Sequence, residues 1–151
     1  MYDAVFAIEL LCYVENPEKA MRELARVLKK GGLLFFSVEN KFGALTSERF
    51  VTENNFMDVF KKNKLAVNNE VYVRYFSQAD VRVLIKKAKL GTLCIAGCHY
   101  AADGIFGHLA EKADLKNAHS RKRLLDIEKF CRKNKSLEPF ARAWGAVARK
   151  G

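Results

Sequence analysis

The sequence predicts an α/β fold, and its first forty residues predict that fold most directly. Two short apolar runs, residues 2–8 and 33–38, flank a segment, residues 17–30, whose apolar residues recur at helical spacing. Two apolar strands joined by an amphipathic helix form a βαβ unit, so we expect parallel strands in one sheet with a right-handed crossover. The first strand is apolar on both faces, which indicates a strand that is covered on both sides.

The helix between the two strands has clear start and stop signals. Asn16 is a good N-cap, and Pro17 suits the first helical position. The inward face is made by residues three and four apart, namely Ala20, Met21, Leu24, Val27 and Leu28. Gly31 is placed to end the helix in the left-handed conformation, and Gly32 then leads into the second strand.

The rest of the chain completes one partial domain of 151 residues, in which the βαβ unit is residues 2–40. Residues 41–75 are expected to be an irregular cap segment, whose aromatic residues either line a pocket over the strand ends or cap the core. Residues 76–151 are expected to hold the C-terminal helices and strands. Ser77 and Asp80 resemble a capping box, a third strand follows at residues 92–98, a helix at 120–133 and a last strand at 144–149.

The composition is typical of a globular domain, but the net charge is high. The formal charge is +10 at pH 7, which indicates either a solvated basic surface or a patch for a polyanion. Four cysteines without a short-range framework suggest free thiols and a cytoplasmic location. No apolar run is long enough to cross a bilayer, so no membrane is expected as a partner.

The first strand presents a problem of pairing. It begins at Tyr2, and a long apolar strand at the edge of a sheet is an aggregation hazard. We therefore expect residues 2–8 to pair with a later strand, with another polypeptide or with a second copy of the chain. The alternative expectation is that the chain is a piece of something larger.

Several runs resemble the class I S-adenosylmethionine-dependent methyltransferases of the type 11 group. The runs are Tyr-Asp-Ala-Val at residues 2–5, Glu-Leu-Leu-Cys-Tyr-Val-Glu-Asn-Pro at 9–17 and Arg-Val-Leu-Lys-Lys-Gly-Gly at 26–32. Residues 75–80 and 146–150 resemble later elements of the same family. The resemblance implies a Rossmann-like methyltransferase fold, with a mixed sheet of about four strands, helices on both faces and an antiparallel last strand.

Two departures from the family pattern matter for function. The family has a Glu-His pair where this chain has Cys12 and Tyr13. The glycine-rich turn and the ribose-binding acidic residue of the family's N-terminal half also have no counterpart here. The expectation is a truncated domain, the C-terminal half only, that binds S-adenosylmethionine weakly or not at all without the other half.

The resemblance also implies site residues, although it names no catalytic residue. Ala7, Glu9 and Leu10 would lie beside the cofactor. Tyr13 would face the methyl group or the substrate through its π face, or else would be a half-buried aromatic residue packed on the helix. Asn40 and Phe42 would contact substrate.

No metal site is expected from the sequence. Cys94, Cys98 and His99 lie close together, but a second pair of ligands is missing. Buried thiols account for these cysteines better.

Two classes of function follow from these observations. The first is S-adenosylmethionine-dependent methyl transfer as part of a complete domain, with the chain alone inactive. The alternative is a non-catalytic methyltransferase-like module that binds a partner protein or RNA. Its first strand and its basic surface would then be the docking surfaces.

Overall fold

A computed structural model of the chain describes residues 1–46, 51–67, 71–101 and 104–151. The strands are β1 (Tyr2–Ile8), β2 (Leu28–Glu39), β3 (Lys64–Val67), β4 (Val71–Arg74), β5 (Leu90–Cys98) and β6 (Ala143–Lys150). The helices are α1 (Pro17–Val27), α2 (Lys41–Leu45), α3 (Phe56–Lys62), α4 (Gln78–Lys87), α5 (His108–Glu111) and α6 (Ala118–Lys133). Two short 3-10 turns, Leu10–Cys12 and Lys135–Phe140, precede α1 and β6.

The main sheet has four strands in the order β1-β2-β6-β5. Strand β1 pairs with β2 in parallel, and β6 is antiparallel to both β2 and β5. The predicted α/β class, the mixed sheet and the antiparallel last strand are therefore confirmed. Strands β3 and β4 form a separate antiparallel pair.

Helices α1 and α4 pack side by side on one face of this sheet. The core between them and the sheet contains Met21 and Ala25 of α1, Val81, Leu84 and Ile85 of α4, and Leu34, Phe36 and Val38 of β2. Helix α4 begins at the predicted capping box, because the Ser77 hydroxyl and the Asp80 carboxylate each accept from the other residue's backbone N–H. Helix α6 contacts β5.

Strand β1 lies at the edge of the sheet, and in the described part of the chain β2 is its only partner. Ala7 faces the core and is 3% exposed, whereas Phe6 and Ile8 on the other face are 68% and 66% exposed. The Phe6 ring stacks on Phe35 of β2 with 4.9 Å between centroids. Strand β1 thus pairs with a later strand along one edge, and within the described residues the cover expected on both of its faces is found on the Ala7 face only.

The end of the first helix differs from the prediction. Helix α1 stops at Val27, and Gly31 lies within β2 rather than at a helix cap. Gly31 does adopt a left-handed conformation, with φ of 79°. The cause is a bulge in the β1–β2 pairing. Tyr2 and Ala4 of β1 face Leu28 and Leu33 of β2, so four residues of β2 lie opposite one residue of β1. Gly31 takes the positive φ within this bulge, a conformation that glycine adopts without strain.

Residues 41–75 hold more regular structure than the predicted irregular segment, namely α2, α3, β3 and β4. Tyr75 is 3% exposed and packs with Val59 and Leu65, so it belongs to a small second core. Phe42 is 41% exposed. Two other aromatic residues were predicted to line a pocket or cap the core. The structure describes neither Phe50 nor the side chain of Tyr72.

Both ends of the chain lie at the amino ends of the parallel strands. Tyr2 is opposite Leu28 in the β1–β2 register. The Lys150 ammonium near the other end of the chain donates to the Leu28 carbonyl at 2.7 Å. The carboxyl ends of β1 and β2 are therefore at the opposite rim of the sheet. Among the described residues, no helix combines the length and apolar character that crossing a membrane requires.

Candidate functional site

Three charged side chains meet at the carboxyl ends of the parallel strands. Glu9 directly follows β1, and Glu39 is the last residue of β2. The Arg142 guanidinium donates to a Glu9 carboxylate oxygen at 2.8 Å and to a Glu39 carboxylate oxygen at 2.6 Å. Ligands of open parallel sheets bind beyond the carboxyl ends of the strands, so this carboxylate cluster (Glu9, Glu39 and Arg142) is in the expected place for a site.

The backbone holds Arg142 at this rim because β6 runs antiparallel to its neighbours. The start of an antiparallel strand lies beside the carboxyl ends of the strands next to it, and Arg142 immediately precedes β6. Its N–H donates to the His99 carbonyl at 3.1 Å, and its carbonyl accepts from the Asn40 N–H at 2.9 Å. Arg142 thus joins the ends of β2, β5 and β6.

A tight turn after β1 places the next candidate residues. Glu9 has a left-handed backbone with φ of 55°. Its N–H donates to the Ser37 carbonyl and to the Ser37 hydroxyl, each at 3.1 Å. The 3-10 turn that follows buries Leu11 and Cys12 and leaves Leu10 and Tyr13 exposed by 46% and 51%. Leu10 and Tyr13 therefore present an apolar and aromatic surface beside the carboxylate cluster.

Asn40, predicted to contact substrate, is fully buried and its side chain is engaged by the protein. The amide nitrogen donates to the carbonyls of Pro139 and Ala141, both at 2.7 Å. The amide oxygen accepts from the Phe42 N–H at 3.1 Å and caps α2. These bonds fasten the segment before β6 to the end of β2, so Asn40 positions Arg142 and Phe42.

Burial raises the pKa of the neighbouring thiol and phenols. Burial raises the pKa of the Cys12 thiol to about 12, and the Cys12 sulfur accepts the Glu39 N–H at 2.9 Å. Burial, with the Glu39 carboxylate as the next cause, raises the pKa of Tyr75 to about 12. The same two causes, in the same order, raise the pKa of Tyr13. Cys12 is therefore a poor nucleophile, and both phenols remain hydrogen-bond donors.

The thiol of Cys12 should react slowly with an alkylating agent. Cys12 is buried whereas Cys94 is exposed. With iodoacetamide at pH 8, we expect Cys94 to be modified at least about 100-fold faster than Cys12, because the thiolate is the reactive form. Peptide mass spectrometry against time measures both rates. In urea all cysteines should react at the same rate. Equal rates for Cys12 and Cys94 in the folded protein would contradict the burial of the Cys12 thiol.

The structure places the predicted site residues in different surroundings. Glu9, Leu10 and Tyr13 lie together on the turn after β1, and Phe42 is partly exposed beyond β2. Ala7 is buried in the core and Asn40 is enclosed by backbone. Among the described residues, no group of three or more metal-ligating side chains lies close enough to hold a metal ion.

The sequence reasoning missed Arg142 and Glu39, which connect the site. A signal for Arg142 was available, because a cation directly before an antiparallel last strand must lie beside the carboxyl ends of the parallel strands. Glu39 was visible as the residue after the apolar run of β2. The sequence alone does not show that Arg142 and Glu39 form an ion pair.

Comparison with known proteins agrees with the resemblance in sequence. Residues 1–36 match a family model described as a methyltransferase domain. A search among curated proteins found no match. The family match covers under half of the chain.

Solved methyltransferases share the fold of the whole chain. A SAM-dependent methyltransferase of Thermotoga maritima is 21% identical with a TM-score of 0.53, over 99% of this chain and 56% of that one. One from Mesorhizobium loti is 12% identical with a TM-score of 0.55, over 99% and 62%. Phosphoethanolamine N-methyltransferase 2 of Haemonchus contortus, solved with S-adenosyl-L-methionine, is 12% identical with a TM-score of 0.53, over 99% and 33%. The chain therefore spans 56% and 62% of the length of the first two proteins.

Proposed function

We propose, from the class I S-adenosylmethionine-dependent methyltransferase fold of this chain, that it forms one flank of a methyl-transfer site. One observation carries the proposal. Glu9 and Glu39, at the carboxyl ends of two adjacent parallel strands, are bridged by Arg142 beside the exposed Leu10 and Tyr13. That rim is where the ligands of such sheets bind.

The charge of the carboxylate cluster suits the cofactor. Two carboxylates face one guanidinium, so the cluster carries one net negative charge when both are ionised. S-adenosylmethionine presents a sulfonium cation, which such a surface attracts. We assign Ala7, Glu9 and Leu10 to the cofactor side, where Ala7 contributes through its backbone and its packing because its side chain is buried.

Tyr13 and Phe42 are assigned to the side of the methyl group and its acceptor. Methyl transfer depends on holding the two reacting centres in line, and rigid aromatic surfaces can do this. The Tyr13 ring can stabilise the sulfonium through its π face. Asn40 supports this side indirectly, by holding the residues that precede α2 and β6.

Strand β1 leaves room for the second flank of the site. Within the described residues its outer edge is unpaired, and Phe6 and Ile8 are exposed beside it. We propose that a further parallel strand pairs with β1 and brings a glycine-rich turn to the rim. The chain alone then binds the cofactor weakly.

Calorimetric titration with S-adenosylhomocysteine tests this proposal. We expect weak or no binding to the chain of 151 residues. Binding should appear when the chain is extended by the coding sequence upstream of Met1, provided that this sequence encodes a strand and a glycine-rich turn. Tight binding to the chain alone would contradict the role of the β1 edge.

The role of Tyr13 can be measured separately in the extended protein. Tyr13→Ala should reduce the preference for S-adenosylmethionine over S-adenosylhomocysteine by about 3- to 30-fold, because only the former carries the sulfonium that a π face favours. Tyr2→Ala is the control, since Tyr2 is also exposed but lies at the amino end of β1. An unchanged preference would remove Tyr13 from the methyl side.

A second copy of the chain is the alternative partner for the β1 edge. Two exposed edges joined about a twofold axis would continue the sheet. Sedimentation equilibrium should then show a dimer that Phe6→Lys dissociates, because a lysine beside an edge opposes strand pairing. Leu93→Lys, at a residue 51% exposed on the opposite edge strand, is the control. A wild-type monomer at every concentration would reject self-association.

The basic composition supports the non-catalytic alternative, a module that binds a polyanion such as RNA. The formal net charge is +10, and α6 carries six of the cations: Arg121, Lys122, Arg123, Lys129, Arg132 and Lys133. Binding through phosphate contacts weakens steeply with salt. Absence of RNA binding at low salt would reject this function.

A further inference from the structure

A cavity lies between the end of β5 and α6, and none of the three carboxylate-cluster residues lines it. Its volume is about 550 Å³, which is within the range of small-molecule sites. Ala110, Leu115, Leu124 and Leu125 give it an apolar wall.

One face of α6 supplies most of this wall. Arg121, Leu124, Leu125, Glu128 and Arg132 all line the cavity and follow one another at helical spacing. Phe130 and Lys133 belong to the same helix but do not line it.

The charges around the cavity favour an anion. Arg121 and Arg132 contribute two cations against the single carboxylate of Glu128. That carboxylate already accepts the N–H groups of His99, Tyr100 and Ala101 at 2.9 to 3.0 Å, so the strand end satisfies it. Arg121 donates to the carbonyls of Leu115 and Lys116 and is fixed in place.

Arg132 is the cation available to a ligand. Within the described ranges no hydrogen bond or ion pair engages its guanidinium, although it lines the cavity. A guanidinium can bind a carboxylate through two parallel hydrogen bonds. An apolar body along Leu124 and Leu125 would therefore place an anionic group at Arg132.

We infer that this cavity binds a small amphiphilic anion, an apolar chain that ends in one carboxylate. The cavity adjoins the carboxylate cluster, because the Arg142 N–H donates to the carbonyl of His99 in the cavity wall. Calling the ligand a methyl acceptor rests on the proposed function, whereas its binding does not.

Calorimetric titration with decanoate, without cofactor, tests the inference. We expect saturable binding of one decanoate per chain, and about tenfold weaker binding of decanol, which lacks the charge. Leu125→Asp and Arg132→Gln should each weaken decanoate binding at least about tenfold. The matched controls Phe130→Asp and Lys133→Gln, on the same helix outside the cavity, should stay within about twofold.

Several results would overturn the site. These are no saturation with decanoate, equal binding of decanol, or wild-type affinity in both cavity variants. An equal loss in Phe130→Asp would mean that the ligand adsorbs along the whole helix. Leu125 is 58% exposed, so the Leu125→Asp substitution removes few contacts from the core. If Leu125→Asp does not fold, the comparison of Arg132→Gln with Lys133→Gln decides. Failure of cofactor binding leaves this titration unaffected, so the two proposals fail separately.

Discussion

Replacing Arg142 with methionine is expected to lower the free energy of unfolding by about 3 kcal/mol, because it leaves two carboxylates without their shared cation. The Glu39 side chain is 10% exposed and the Arg142 side chain 27%, so water can compensate only in part. Urea denaturation followed through the single tryptophan, Trp144, measures the change. Trp144 is buried, and its indole N–H donates to the Phe76 carbonyl at 3.1 Å.

Two further variants separate the pairing from other effects of the substitution. Arg26→Met is the control, because the Arg26–Glu23 pair is exposed and such pairs contribute about 0 to 1 kcal/mol. Arg142→Met combined with Glu39→Gln should recover about 1 kcal/mol, since the buried negative charge is then gone. A loss in Arg142→Met no larger than in Arg26→Met would show that the carboxylate cluster contributes little to stability.

Asn40→Ala is expected to lower the free energy of unfolding by about 3 kcal/mol. The change removes both donors to the Pro139 and Ala141 carbonyls and the acceptor for the Phe42 N–H, and unsatisfied buried groups cost about 1 to 3 kcal/mol each. The same urea titration measures the loss. A ligand-binding asparagine without a structural role would instead leave stability near the wild-type value.

Asn16→Ala provides the matched control for Asn40. Asn16 is also an N-cap, and its amide oxygen accepts the Lys19 N–H at 2.9 Å on the exposed start of α1. Its loss should cost about 1 kcal/mol, the usual value for a cap. Similar costs for the two variants would mean that the bonds from Asn40 to the segment before β6 add nothing to its capping of α2.

Local signals in the sequence were sufficient for most of the main sheet and its helices. Asn16 and Pro17 mark the start of α1, and Ser77 with Asp80 marks the start of α4. The apolar run of β2 predicted a buried strand next to β1. Such signals act within a few residues, so they can be read without the fold.

The parts that could not be predicted depend on distant segments. Gly31 lies in a bulge of β2 and not at the end of α1. This bulge is set by the pairing of β1 with β2, and the sequence of the helix carries no information about that pairing. Asn40 resembled a ligand-binding loop residue, but its partners at 139 and 141 lie about a hundred positions away. The same is true of Arg142 with Glu9 and Glu39, because the antiparallel β6 brings these three together.

The common rim that holds the first and last residues has a practical consequence. Eight residue steps separate Met1 from Glu9 along β1, and eight separate Gly151 from the start of β6, so both termini lie about 25 Å from the Glu9 end of the sheet. A fluorophore, an affinity handle or a solid support attached at either terminus would therefore stay clear of the opposite rim. A chain immobilised in that way would present Leu10, Tyr13 and Phe42 to the solution, ready for direct measurements of ligand capture.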